Sequence, residues 1–335
     1  MTDLLAPSPG PIAAPTVAAP FTTTMYGGQV SGFSAKTLAT LEAGWGRWRE
    51  ICARAGVPPL PVDKALLIET VKREIEAGHK RATIETALLY PLRTASKRLE
   101  YPDPTASVAF KDFWKHACRE VLTKRQKQAV GLTIDVVDQI RASLNFDRPR
   151  DALIGALVGL AYDGLLRVSE LASLRTDHLR PARGGAGELL IERSKTDQEG
   201  EGKTRSISPE TMEWVAQHRR FAAAREPEGD WIFPSPYKGG RMPISTRQVV
   251  NLIDGAGRLV GVEGLSGHSG RVGGAQDMML AGATLAQMQK RGGWKSSRMP
   301  ARYAEHADTV LDGEERREQL ERLKKRMAGS GGAQG

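Results

Sequence analysis

The 335-residue sequence predicts a mainly helical protein with one small β-sheet, divided into an all-helical N-terminal domain and an α+β C-terminal domain. Three observations predict it. Apolar residues recur at helical spacing through most of the chain from residue 34 onward. Residues 188–196 and 204–208 are strand-like segments flanking the polar loop DQEGEGK, which reads as a β-hairpin with a long loop. Between the two regions, 123–129 (TKRQKQA) holds three basic residues and no apolar period, so it reads as a linker.

Residues 1–31 are rich in Pro, Ala, Thr and Gly; with little to bury, they are expected to form a disordered tail. The helical domain, 32–122, begins with Ser34 as a cap for a helix running to Ala55. Leu38, Leu41, Trp45, Trp48 and Ile51 form its apolar stripe, and Gly56 with Pro58-Pro59 ends it. Three further helical patterns lie at about 62–77, 81–99 and 105–122, and Pro91 is expected to kink or break the third. After the linker (123–131), the second domain spans 132–311. In it the hairpin and a possible short strand at Trp231-Ile-Phe233 interrupt helices, the later ones at about 245–260, 268–281, 284–291 and 297–305. The end, 312–335, carries an amphipathic helix at about 313–327, with Leu320, Leu323 and Met327 on one stripe. Such a face needs a surface, either on its own domain or on a neighbouring subunit.

The net charge of +9 and pI of about 9.6 favour a polyanionic partner, nucleic acid first, although many basic proteins bind none. Two cysteines without C-x-x-C spacing fit a reducing compartment and give neither a disulfide framework nor a zinc site. No apolar run reaches the ~18 residues of a membrane span, and the N-terminus lacks the pattern of a signal peptide, so a cytoplasmic protein with no membrane partner is expected. Neither a phosphate-binding G-x-x-x-x-G-K-[ST] loop, an H-E-x-x-H pair nor a carboxylate cluster occurs. Neither a metal nor another cofactor is expected.

The chemistry-bearing residues are Arg167 in GLLRVSEL, Lys195 in ERSKT, His268 and Arg271 in SGHSGR, Trp294 in RGGW, and Tyr303 in ARY. Together they supply two guanidinium groups, an ammonium, an imidazole, an indole N–H and a phenol. That set suits attack of a tyrosine on a DNA phosphate, where catalysis is mostly electrostatic positioning. Each member also has a plainer reading. Arg167 can simply pair with Glu170, one turn on. His268 and Arg271 can be a surface pair, with Ser266 or Ser269 as an ordinary cap. Lys195 can be a solvated hairpin lysine, and Lys203 across the loop competes for its role. Trp294 can be core. Tyr162, in an apolar run, reads as core.

In this order the residues match the signature of the tyrosine recombinases, the phage integrase family, which the chain resembles. The segments FSAKTLATLEAGWGRWREI, AYDGLLRVSELASLR and LSGHSGRVGGAQDMMLAGATLAQMQKRGGWKSSRMPARY carry the likeness across both domains, from about residue 33 to at least 305. The resemblance implies an N-terminal core-binding domain and a C-terminal catalytic domain that clamp around DNA. It implies cleavage through a 3′-phosphotyrosine and strand exchange through a Holliday junction. A homotetramer on double-stranded DNA with an inverted-repeat site, assembled from monomers, goes with it, in a bacterial or phage-encoded enzyme. By matching positions, Arg167 and Arg271 would clamp the phosphate, Lys195 would be the general acid and Tyr303 the nucleophile. His268 and Trp294 would assist, Glu170 would buttress, and the C-terminal helix would dock in trans. Most members carry His where this chain has Trp294, and the Pro/Ala-rich tail matches no family role. A type IB-like DNA topoisomerase and a catalytically idle DNA-binding protein are the alternatives. Lys80, Arg81, Lys97, Arg98 and Arg247 are candidate DNA contacts, or simply solvated charge.

Overall fold

The computed structural model describes residues 20–25, 28–122, 129–191, 203–225, 228–304 and 321, in two compact units, Met1–Gln126 and Lys127–Gly335. Residues 1–19 of the tail, residues 123–128 of the linker, Lys195 and nearly all of the segment 313–327 lie outside the described residues.

Order in the first unit begins earlier than the composition of 1–31 suggests. Strands β1 (Thr23–Met25) and β2 (Gly28–Val30) pair antiparallel, and Phe21 is fully buried in the core. Phe21 is a large apolar side chain of the tail, and the helical core has room for it. Ser31 Oγ donates to the Phe21 carbonyl at 2.8 Å.

Helix α1 (Ala35–Ala55) starts where Ser34 Oγ accepts from the Thr37 N–H, and stops at Gly56, whose φ of 68° suits glycine. Its buried face, Leu41, Trp45, Trp48 and Cys52, meets residues from α2 (Lys64–Glu76) and from a helical run holding Ile84, Leu88, Leu89 and Leu92. That run is not one regular helix. Helix α3 (Arg81–Ile84) passes into a π-helical segment, Glu85–Leu89, and then α4 (Tyr90–Arg98), with Pro91 at the start of α4. Pro91 has no N–H to give, so the widened turn falls where an α-helical bond is already missing. Helix α5 (Val108–Glu120), capped by Ser107, closes the unit.

The second unit is organised around α7 (Pro149–Asp163), in which every residue from Ile154 to Asp163 is buried. A helix apolar all round belongs at the centre of a unit. Helices α6 (Ile134–Ser143), α9 (Pro209–Ala223), α10 (Thr246–Leu259) and α11 (Ser269–Leu280) pack on it, and the short α8 (Val168–Ala172) follows it. Asp277 on α11 fixes two neighbours, accepting from the Ile134 N–H and from the Tyr162 hydroxyl, both at 2.7 Å.

The sheet has three antiparallel strands, β3 (Leu179–Pro181), β4 (Gly187–Ile191) and β5 (Lys203–Ile207), in the order β3-β4-β5. The expected hairpin is β4–β5, with Leu189 opposite Arg205; β3 was not legible in the sequence. Trp231-Ile-Phe233 is not a strand. Trp231 makes one isolated bridge to Arg175 and Pro234 follows, so a ladder cannot extend. Helices α12 (Leu285–Gly292) and α13 (Arg298–Ala304) complete the unit. No helix among the described residues is long and apolar enough to cross a membrane.

Candidate functional site

Three segments of the second unit bring candidate residues together. The first is the turn after α7. Leu165 sits at φ 47°, in the left-handed region that costs a residue with a Cβ. Two things hold it there: its side chain packs with Ala275, Met288 and Trp294, and its carbonyl accepts from Arg271. Two residues on, Arg167 is the N-cap of α8. Its N–H donates to Glu170 Oε2 at 2.8 Å and its Nη1 to Oε1 at 2.5 Å. The ion pair foreseen as the plain reading of Arg167 is therefore present. It orients the guanidinium without hiding it, since the Arg167 side chain stays 21% exposed against 7% for Glu170.

The second segment is the start of α11. His268 is its N-cap, and both nearby serines act in the turn: Ser266 Oγ accepts from the His268 N–H and Ser269 Oγ from the Ser266 N–H. Arg271, one turn further, is 3% exposed. It donates to the Leu165 carbonyl at 2.5 Å and to the Gly292 carbonyl at 2.9 Å. These partners are neutral, so its charge is not balanced by them. Burial first, and then the Arg167 charge, hold its pKa at about 10, below the ordinary arginine value. The His268 pKa is lowered too, by desolvation and then by Arg271 and Arg167, which favours a neutral imidazole at neutral pH.

α11 comes this close to α7 because Gly270 lies against it. A Cβ at Gly270 would press into the Ala161 carbonyl.

The third segment is α12 and α13. Gly293 ends α12 at φ 62°, and the Trp294 ring folds back over Gly292, where any Cβ would collide with it. Trp294 is buried, with the Arg271 guanidinium 4.7 Å from its ring centroid. Tyr303 lies against the same indole, centroid to centroid 6.0 Å at an interplanar angle of 60°. Arg271, Trp294 and Tyr303 thus form one cluster, with Arg167 beside it through the 165–167 turn. Trp294 is thus a buried core residue that also touches two of the candidate residues.

Lys195 lies outside the described residues. Lys203, its competitor, is the first residue of β5 and lines a narrow cleft with Arg167, Glu170, Arg205, Gly292 and Gly293. Two arginines here were not singled out from the sequence. Arg205 is 5% exposed, and Arg291 donates through Nη2 to the carbonyls of Asp163 at 3.1 Å and Ser206 at 2.7 Å. A signal for Arg205 was available: strand alternation puts it in phase with the buried Ile207, so a charge falls at a core position.

Of the candidate DNA contacts, Arg81 donates to Glu85 at 2.9 Å and Arg98 covers the Phe33 ring at 5.2 Å. Lys80 and Lys97 are exposed in the first unit, and Arg247 is exposed in the first turn of α10. Arg81 also lines a groove of the first unit with Arg93, Lys111, Lys115, Arg119 and the Trp114 ring. The five cations face a single lining carboxylate, Glu85. Spread over three elements, these residues form no run in the sequence.

The sequence model of the Phage integrase family matches residues 131–309, which span all three segments of the candidate site. The chain is 25% identical to Recombinase cre of Escherichia phage P1 over 302 residues, covering 82% of this chain and 84% of that one. In fold it is similar to the site-specific recombinase XerH bound to a palindromic difH substrate in a post-cleavage complex. That match has a TM-score of 0.59 and 14% identity, covering 87% of this chain and 79% of that one. It is also similar to the Tn1549 transposon integrase in complex with transposon right end DNA, with a TM-score of 0.57 and 18% identity, covering 88% and 95%. With the family match extending over more than half of the chain, the protein belongs to the phage integrase family.

Proposed function

We propose that this protein is a site-specific DNA recombinase in which Tyr303 is the nucleophile. The observation that carries the reading is the cluster of Arg271, Trp294 and Tyr303, set beside the buttressed Arg167 in a member of this family. The Tyr303 oxygen attacks the scissile phosphorus. The bond from phosphorus to the 5′-oxygen breaks, leaving a 3′-phosphotyrosine and a 5′-hydroxyl. Arg167 and Arg271 bind the non-bridging oxygens, where a planar, permanently charged fork suits developing charge. Arg271 donates only to neutral carbonyls in the free protein, so an arriving phosphate relieves an existing cost there, while Arg167 is already held by Glu170. His268, with its neutral ring favoured, can accept or relay the phenol proton. A lysine of the hairpin, Lys195 in the family reading, protonates the leaving 5′-oxygen. The phosphotyrosine keeps the bond energy for rejoining, so no nucleotide is spent.

DNA as partner follows from this chemistry and from the basic charge. The finer assembly is proposed on family grounds. The two units clamp one duplex half-site, four copies form the synapse, and residues 313–327 dock on a neighbouring copy. The groove of Arg81, Arg93, Lys111, Lys115 and Arg119 is proposed to follow the phosphate backbone.

The test needs a cognate duplex, obtained by selection with the full chain from a randomised library. A version nicked near the cleavage position loses its short 5′-hydroxyl strand and accumulates the covalent complex. Wild-type protein is expected to give an adduct stable to denaturant, and Tyr303→Phe none, with duplex binding kept. An adduct that persists in Tyr303→Phe overturns the assignment of the nucleophile. Relaxation of plasmids lacking the selected site, without recombinant products, would favour the topoisomerase reading.

A further inference from the structure

Arg205 is an arginine without a clear structural excuse. It stands on β5 opposite Leu189, 5% exposed, at a position where an aliphatic side chain would serve the core. Its Nη1 donates to the Lys290 carbonyl at 3.1 Å, in the last turn of α12. Its Nη2 occupies the space beside Gly293 that a Cβ there would fill. Its Nε is buried with no hydrogen-bond partner. The guanidinium lines the same narrow cleft as Arg167, Glu170 and Lys203. Burial first, then the charges of Arg291 and Arg271, hold its pKa down at about 10. A merely structural staple between β5 and α12 already exists in Arg291, which reaches the carbonyls of Asp163 and Ser206.

What Arg205 holds is therefore the informative point. Lys290, Gly292 and Gly293 form the end of α12. The Gly292 carbonyl accepts from Arg271, and the next residue but one is Trp294, which touches Tyr303. The other end of Arg205 is the strand that begins at Lys203, the lysine at the mouth of the cleft. We infer that Arg205 is a positioning residue of the strand-cleavage reaction, tying the hairpin that carries the lysine to the turn that aligns Arg271, Trp294 and Tyr303. The inference rests on the recombinase reading above.

The test uses the full chain, the selected nicked duplex, and Arg205→Ala with Arg205→Lys. Both the rate of covalent-adduct formation and the duplex dissociation constant are measured. Arg205→Ala is expected to lower the adduct rate by at least about tenfold while leaving binding within about twofold, because misalignment acts on the chemical step. Arg205→Lys restores the charge and one donor, so it is expected to recover part of that loss, at least about threefold. An adduct rate within about threefold of wild type in Arg205→Ala overturns the inference. So does a parallel loss of binding and adduct in both variants, which marks a folding role. If the wild type forms no adduct, it is the recombinase reading that fails, and the two failures are thereby told apart.

Discussion

Replacing Arg271 with methionine separates what the residue does for the fold from what it does for chemistry. The side chain keeps its approximate length and apolar stem but loses the charge. Two charge-assisted bonds to carbonyls are lost, those to Leu165 and Gly292, at about 1.5–3 kcal/mol each. The contact over Trp294 adds about 1 kcal/mol. Against this, the free protein stops burying an uncompensated cation. With the pKa held at about 10 instead of 12.5, the charged form is disfavoured by about 3 kcal/mol. The balance is a destabilisation of about 1–4 kcal/mol, far short of what the gross contacts suggest. Urea unfolding of the full chain, with amide exchange in α7 and α11 reporting the second unit, measures it. Adduct formation on the nicked duplex is expected to vanish in the same protein. The reasoning is refuted if Arg271→Met unfolds the second unit by more than about 5 kcal/mol, since the charge would then be compensated at rest. It is equally refuted if the adduct survives.

Two other expectations follow from the packing and the buried charges. Gly270→Ala presses a methyl group into the Ala161 carbonyl, so an overpacking cost of about 1–3 kcal/mol outweighs the roughly 1 kcal/mol that alanine gains in a helix. A lower urea midpoint for the second unit is expected, and a higher one would refute the close α7–α11 approach. His218 is buried with its pKa lowered to about 4, first by desolvation, while its Nε2 stays bonded to the Ile232 carbonyl. Below pH 6.5 the unfolded chain takes up a proton that the folded one refuses, so about 3 kcal/mol of stability is lost as pH falls from 6.5 to 4. His218→Phe is expected to flatten that part of the stability profile, and an unchanged slope would assign it to another group.

How far the sequence reads through to the structure depends on how local the cause is. Ser34 and Gly56 bound α1 as expected because each cap is decided by the residues next to it. The β4–β5 hairpin was legible from two strand-like segments and the polar loop between them. Strand β3 was not, because three residues beginning with one buried leucine carry no period of their own and pair only because β4 is there. Phe21 was lost in a composition that reads as disorder, since one aromatic among prolines and alanines is decided by the core it joins. In the candidate site, the turn and helix-start placements of Arg167, His268 and Arg271 follow from sequence. Their convergence does not, since Arg271 meets Gly292 and Leu165 across 21 and 106 residues. The resemblance to a family supplied that convergence where spacing alone was silent. Arg205 escaped both routes; only the rule that a strand alternates makes its charge look misplaced.

The π-helical segment at Glu85–Leu89 has a consequence for how this chain aligns with others. A π turn holds one residue more than the α turn it replaces, and each residue of an α-helix advances it by about 100°. Deleting a single residue there would let α3 and α4 fuse into one ordinary helix. Because the π turn spends that residue within the same turn, everything after the deletion would keep its face, and Leu92 and Ala95 would stay in the core they fill now. A relative lacking that residue buries the same set of α4 positions, so an alignment must place its one-residue gap within 85–89; a gapless alignment would shift every α4 position by about 100°.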